Sequence, residues 1–292
     1  MSTSPSTLPR SVNLVHVKAP RPDRNDPTLR DRLSRLRALD DPAQWQLAVL
    51  ALMLGPDSPR ELEAWLDRAR GVAGVERLLD DILALPHGHR LPWFEAFARQ
   101  LAPGPVEPRH DLIGAARRLM TADGMVSPAD QLRWVALRHL LAGSAVAAPA
   151  AASADLAQID DAQAQMVCLF SAFLSHLVPT PEINLDLNGH EPTGQTWYDS
   201  VTTDWYGRFE LPERERQDID ATLRALRELQ AMPWLLRPVL VRGWFDAARV
   251  LTDGPALHPV AADALRLTCT LLDSPVPPEL SRQYIEVEPA RH

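Results

Sequence analysis

The side chains of this chain best suited to chemistry are its histidines and its acidic residues, and their spacing decides what each could do. His190-Glu191 begins like a His-Glu-x-x-His helix, which would set two imidazoles one turn apart around zinc with the glutamate as general base. Gly194 stands where the second imidazole is needed, and Pro192 disfavours a continuing helix, so the segment reads as a surface loop. His87, His89 and His110 form a second group, because Pro86-His87-Gly88-His89 can bend two imidazoles together. No cysteine or acidic side chain stands at ligand spacing beside that pair, Asp111 being a single weak addition, and a solvated turn is the simpler account. A metal-dependent hydrolase using His87 and His89 is the alternative that this pair keeps open.

The Asp123-Gly124 loop enters like a calcium-binding loop, but calcium needs about six oxygen ligands and a closing glutamate. Counting from Asp123, the third residue is Met125, the fifth Ser127 and the twelfth Trp134, so the cage is missing; from Asp253 the third and fifth are Pro255 and Leu257. Both aspartates are expected to act in turns or caps, with a divalent-ion sensor at Asp123 as a further alternative. The adjacent acids Asp40-Asp41, Asp80-Asp81 and Asp160-Asp161 point in different directions on a helix, which suits solvated faces or helix termini rather than paired acid-base work. There is no G-x-S-x-G elbow, no glycine-rich phosphate cradle and no Cys-His arrangement, so neither a catalytic residue nor a cofactor is expected. The one polar stretch with excess aromatic surface, 179–212, carries Trp197, Tyr198, Trp205 and Tyr206, ring types favoured as interface anchors. These four are the candidate partner-binding residues; the competing account folds them back over the core as a lid.

Elements that would position such groups follow from composition and periodicity. The length, 292 residues, suits two domains, and an apolar fraction of 46% supplies their cores. Only 13 glycines stand against 27 prolines, many at expected helix starts such as Ser58-Pro59 and Ser127-Pro128, which predicts helices with stiff, short connections. A net charge of −8 opposes binding to nucleic acid or anionic lipid, and Lys18 is the only lysine, so arginine carries nearly all the positive charge. Cys168 and Cys269 lie within apolar helical patterns as small buried groups. With no secretory signal and no integral membrane segment, a cytoplasmic protein is expected.

Residues 1–28 read as an extended or disordered arm, 29–142 as a first helical domain, 143–155 as an Ala/Ser/Pro linker, 156–280 as a second helical domain and 281–292 as a tail. Apolar spacing predicts helices over 43–54, from Pro59 through Ala69, and from Val75 to before Pro86, with only a short amphipathic turn at Trp93, Phe94, Phe97 and Leu101. Ser58 and Glu61 are placed to form a capping box, as are Ser127 and Asp130. Two segments, 111–141 and 241–272, share one design: a helix ending in Asp-Gly, a turn closed by proline, and a second helix ending in paired leucines. Gly124 is expected to take a left-handed conformation at the first corner.

The first corner, Leu119-Met120-Thr121-Ala122-Asp123-Gly124-Met125-Val126-Ser127, resembles the "ADG-x-V-S" signature of tellurite-resistance TerB-like helical domains. Ala264-Leu265-Arg266-Leu267, continuing through Leu272-Asp273-Ser274-Pro275-Val276-Pro277-Pro278, resembles the "LLR…LDCPMPP" ending of the cytoplasmic tail of bacterial HtpX-like membrane zinc metalloproteases. Leu169 through His176 sits where that tail has a similar "LLSALAHAG" stretch, so the likeness touches roughly residues 40 to 280. It implies an all-α fold of two helical bundles, each with a TerB-like helix-turn-helix unit. The protease's zinc motif and membrane helices are absent from the sequence, so it carries over no catalytic residue. Together these readings describe a non-catalytic bacterial interaction or adaptor protein whose partner is another protein.

Overall fold

Aspartate, serine and proline at helix starts account for where most of the helices begin. The structure is a computed structural model that describes residues 27–55, 58–143, 156, 159–178, 194–214, 219–252 and 256–287. Among the described residues there are thirteen α-helices and no strand, only an isolated bridge between Tyr206 and Phe209. The all-α expectation therefore holds for them. Most of the expected arm and linker, and the corner at Asp253, lie outside them, and so does the His190-Glu191 pair.

Helix α1 spans Pro27–Arg37, so helix begins two residues before the expected start of the first domain at Leu29. Asp41 caps α2, Pro42–Met53, by accepting from the Ala43 N–H, with Pro42 at the first position where a missing donor costs nothing. Its last seven residues, Leu47 through Met53, are all buried. Ser58 caps α3, Pro59–Ala69, but Glu61 does not reach back to complete a capping box. Its carboxylate instead accepts from the Gly55 N–H at 2.7 Å, stitching the end of α2 to the start of α3. Burial there pushes the Glu61 carboxyl above its ordinary range, against the pull of the Gly55 hydrogen bond.

Helix α4, Val75–Leu83, leads into α5, His87–Leu101, which replaces the short turn expected around Trp93. Pro92 lies inside α5, where its ring removes the N–H that would bond the carbonyl of Gly88. That carbonyl accepts from the Ile285 N–H at 2.9 Å instead, so a strand-like segment near the C-terminus takes over the orphaned acceptor. Tertiary structure thus rescues a helix that the local pattern interrupts.

Helices α6, Val106–Met120, and α7, Pro128–Ala142, form the first repeated corner, with Gly124 at φ +86° as expected and a full capping box from Ser127 and Asp130. In the C-terminal half α8 covers Asp161–Leu174, α9 Gln195–Thr202, α10 Ile219–Ala231, α11 Leu236–Val250, α12 Pro259–Leu271 and α13 Pro278–Ser281. Asp160 caps α8 by accepting from the Gln163 N–H at 2.7 Å. Helix α9 and a 3-10 turn at Thr203–Trp205 fall where the sequence pattern gives only loop, so the second half of 179–212 is ordered around its aromatic rings.

The main helix pairings within the halves are α2 with α5 and α8 with α10, while α7 packs on α12 between them. One set of mutually packed buried residues runs from Leu29 to Tyr284. Indole groups pin its layers: Trp65 donates to the Leu47 carbonyl, Trp197 to the Trp244 carbonyl, and Trp244 to Ser171 Oγ. Cys168 and Cys269 are buried, and desolvation pushes both thiols up to about 12, as suits core groups. No helix of the described residues is long and apolar enough to cross a membrane.

Candidate functional site

The sequence-predicted residues fall into different places. His87 and His89 sit in the first turn of α5 rather than in a solvated turn, and they do not converge. His87 Nε2 lies 3.0 Å from Asp263 on α12, whereas His89 is 3% exposed with its Nε2 unpartnered. Burial, and secondarily the charge of Arg37, lowers the His89 pKa, so it is held neutral. Among the described residues no three His, Cys, Asp or Glu side chains stand together as a metal site would need. Asp123 Oδ1 accepts from the Met125 N–H at 3.0 Å, a turn-closing role, and the copy at Asp253 lies outside the described residues.

Of the four rings offered as contact residues, Trp197, Tyr198 and Trp205 are buried, at 0%, 4% and 5% exposure, and only Tyr206 is turned to solvent. The Tyr198 hydroxyl donates to the Pro212 carbonyl, and burial raises its pKa. Three rings therefore belong to the core, as the lid account has it, because covering α8 and α11 removes more apolar surface from water than leaving the rings exposed would.

A charged cluster that the sequence did not reveal joins the two halves. Asp263, Arg266 and Thr270 lie at helical spacing on one face of α12 and meet Glu95 of α5 and the C-terminal strap 282–287. Arg266 donates to Glu95 at 2.9 Å and to both oxygens of Glu286 at 2.6 and 2.9 Å, and its guanidinium lies 4.6 Å from the centre of the Tyr284 ring. Thr270 donates to the other oxygen of Glu95, and the Tyr284 hydroxyl to Asp263 at 2.8 Å. Desolvation works against the charge on Arg266, but the hydrogen bonds and charges of Glu286 and Glu95 outweigh it and hold the guanidinium ionised. Burial, then Asp263, raises the Tyr284 pKa, so the phenol stays a donor. Arg99 lies 3.5 Å from Glu95 and Arg133 3.9 Å from Asp263, so each carboxylate of the cluster has a cation beside it, which makes it a clamp between α5, α12 and the strap.

A different face carries unmatched charge. The exposed ridge of α7 bears Arg138, flanked on one side by a groove of about 750 Å³ against α6 and on the other by one of about 650 Å³ against α10. The first groove is rimmed by Arg109, Arg117 and His110 over a floor of Ile113 and Leu141; the second by Arg224 and Arg227 over Leu223 and Leu226. Arg117, Arg138, Arg224 and Arg227 are exposed, and none has an ion pair among the described residues, whereas Arg35, Arg68, Arg133, Arg242 and Arg266 all do. Arg138 rests on the Trp134 ring at 4.8 Å, an arrangement that holds the guanidinium outward without neutralising it. Asp220 is the one carboxylate in either lining among the described residues.

The arginine face was hidden because a sum of charges says nothing of their placement. The pairs Arg224 and Arg227 on α10, and Arg109 and Arg117 on α6, could have been seen to share helix faces, but that α6, α7 and α10 lie side by side is a tertiary fact. Comparison of the chain with family models, with curated proteins and with solved structures finds no match.

Proposed function

We propose that this chain is a non-catalytic, cytoplasmic interaction protein that docks an acidic segment of a partner protein on the α6–α7–α10 face. The observation that carries this is the group of four exposed arginines, without an ion pair among the described residues, around two apolar-floored grooves in a protein whose net charge is −8. In an acidic chain rich in carboxylates, guanidiniums left without partners form a local positive field that attracts and orients anionic groups. Planar guanidiniums suit carboxylates as two-pronged donors. The apolar floors match leucine- or isoleucine-like side chains, which a nucleic-acid backbone does not offer, and the overall charge repels an extended polyanion. The organisation into two helical domains, 29–142 and 156–280, each with a TerB-like unit, is part of the same reading.

The test is fluorescence anisotropy with a labelled amphipathic peptide rich in Glu and Leu, against wild type, Arg138→Glu/Arg227→Glu, and the control Arg60→Glu/Arg77→Glu, whose residues lie outside both grooves. Binding is expected to fall at least about tenfold in the first variant, to stay unchanged in the control, and to weaken with added salt. Equal binding by both variants, or tighter binding of a single-stranded oligonucleotide than of the peptide, would count against the proposal.

A further inference from the structure

A third concavity adjoins the arginine face. It lies between the start of α2, the end of α5 and the start of α6, has a volume of about 250 Å³, and is more enclosed than the two grooves. Its walls include Pro42, Trp45, Pro105 and Pro108, together with Gln100 and Arg109. Arg109 also rims the α6–α7 groove, so the pocket and that groove share a wall. We infer that this pocket is the anchor site for a single tryptophan ring carried by the docked acidic segment. The inference rests on the docking proposal above.

Size sets the first limit. Pockets for drug-sized ligands and cofactors run from about 300 to 1,000 Å³, so this one suits a single large side chain. Its rigidity favours a flat ring. Trp45 is held by the bond from its Nε1 to the Leu39 carbonyl at 3.0 Å, and Arg109 by bonds to the Leu141 and Pro105 carbonyls at 2.5 and 3.4 Å. Three prolines have no N–H to satisfy and little freedom to lose, so an entering ring pays little ordering cost in the walls. The apolar walls and the Trp45 ring supply the stacking surface.

The hydrogen-bond inventory selects the ring. Gln100 Oε1 is buried without a partner, the kind of orphan acceptor that native structures seldom leave. Gln100 itself lines the pocket, and turning its amide about the soft terminal torsion presents the oxygen to an incoming donor. Phenylalanine carries no donor. A phenol would donate but would bring acceptor lone pairs of its own into an apolar pocket. An indole N–H is a donor only and matches one acceptor with nothing left over.

The experiment compares two acidic Glu/Leu peptides, identical except for one Trp or Ala at the end placed next to Arg109, against the full chain, Pro108→Trp and Gln100→Met. The Trp peptide should bind at least about tenfold more tightly, as a buried aromatic anchor does. That advantage should vanish in Pro108→Trp, whose own ring can occupy the pocket, and shrink several-fold in Gln100→Met, which keeps the volume and removes the acceptor. If both peptides bind equally, and both are lost in Arg138→Glu/Arg227→Glu, the anchor pocket is overturned while the docking face stands. If neither peptide binds the wild-type chain, the docking face fails and the anchor role falls with it.

Discussion

Substituting Gly88 by alanine probes the joint between α5 and the C-terminal strap. A Cβ built at Gly88 would lie 2.6 Å from the Gln283 carbonyl oxygen, a backbone atom that cannot swing aside as a side chain can. To reach an ordinary contact of about 3.4 Å the strap must retreat by roughly 0.8 Å, which also draws the Ile285 N–H away from the Gly88 carbonyl, now 2.9 Å off. The carbonyl cannot be reclaimed by the helix, because Pro92 has no N–H to offer. Losing that bond leaves a poorly satisfied acceptor at a cost of about 1–3 kcal/mol, and overpacking adds about 1–3 kcal/mol. Alanine's better helix propensity returns up to about 1 kcal/mol. These contributions sum to a destabilisation of about 1–6 kcal/mol, or a Tm lower by roughly 2–10 °C for a chain of this size.

Urea and thermal melts measure that loss, and hydrogen exchange at the Ile285 amide locates it. Gly114→Ala on α6 is the control: its Cβ would meet only the far end of the Arg118 side chain at 3.5 Å, so stability should rise by up to about 1 kcal/mol. If Gly88→Ala melts with the wild type and its Ile285 amide is equally protected, the strap does not depend on this contact and the reasoning is refuted.

Removing the charge at the centre of the clamp by Arg266→Met leaves Glu95, 2% exposed, with only the longer 3.5 Å pair to Arg99 and should cost about 3–5 kcal/mol; a loss below about 1 kcal/mol in a urea titration would show that Arg99 alone suffices for Glu95. Because burial depresses the His89 pKa in the folded chain below its unfolded value, the unfolded state takes up the extra proton first, so the His89 contribution is complete at pH above about 6.5 and is lost as pH falls through the folded value. His89→Leu should therefore flatten the stability profile between pH 7 and pH 5, and an unchanged slope would remove His89 as its source. Trp197→Ala empties a fully buried site and breaks the bond to the Trp244 carbonyl, for an expected loss of about 3–5 kcal/mol, while Tyr206→Ser at the exposed position should stay within about 0.5 kcal/mol; equal melts for the two would contradict their opposite placements.

Local signals reached as far as local physics does. The starts of α3 and α7 were legible because Ser58 and Ser127 cap through atoms three residues away, and Gly124 because only its own backbone is involved; Asp41 and Asp160, read only as face or terminus residues, prove to be the caps of α2 and α8. Glu61 shows where that reach ends: the same Ser-Pro-x-Glu pattern that closes a box in principle sends its carboxylate to Gly55 once α2 lies alongside. Helix α9 was missed because it is only eight residues long, so the one-turn spacing of Trp197 and Val201 is a single repeat, too little periodicity for a helix to be read.

The sequence alone determined the all-helical character of the described residues, with stiff proline-started helices, buried cysteines and a net negative charge, since each of these follows from residues close in the chain or from their sum. Only the tertiary structure decided that Pro92 is tolerated because Ile285 serves the carbonyl it orphans, and that three aromatic rings turn inward. It also decided that Arg266 is matched by Glu95, 171 positions away, while Arg117, Arg138, Arg224 and Arg227 line two neighbouring grooves with no ion pair among the described residues. The physical reason is the same in each case: hydrogen bonds, burial and charge pairing act over a few ångströms of space, and the order of residues along the chain does not say which helices will lie that close.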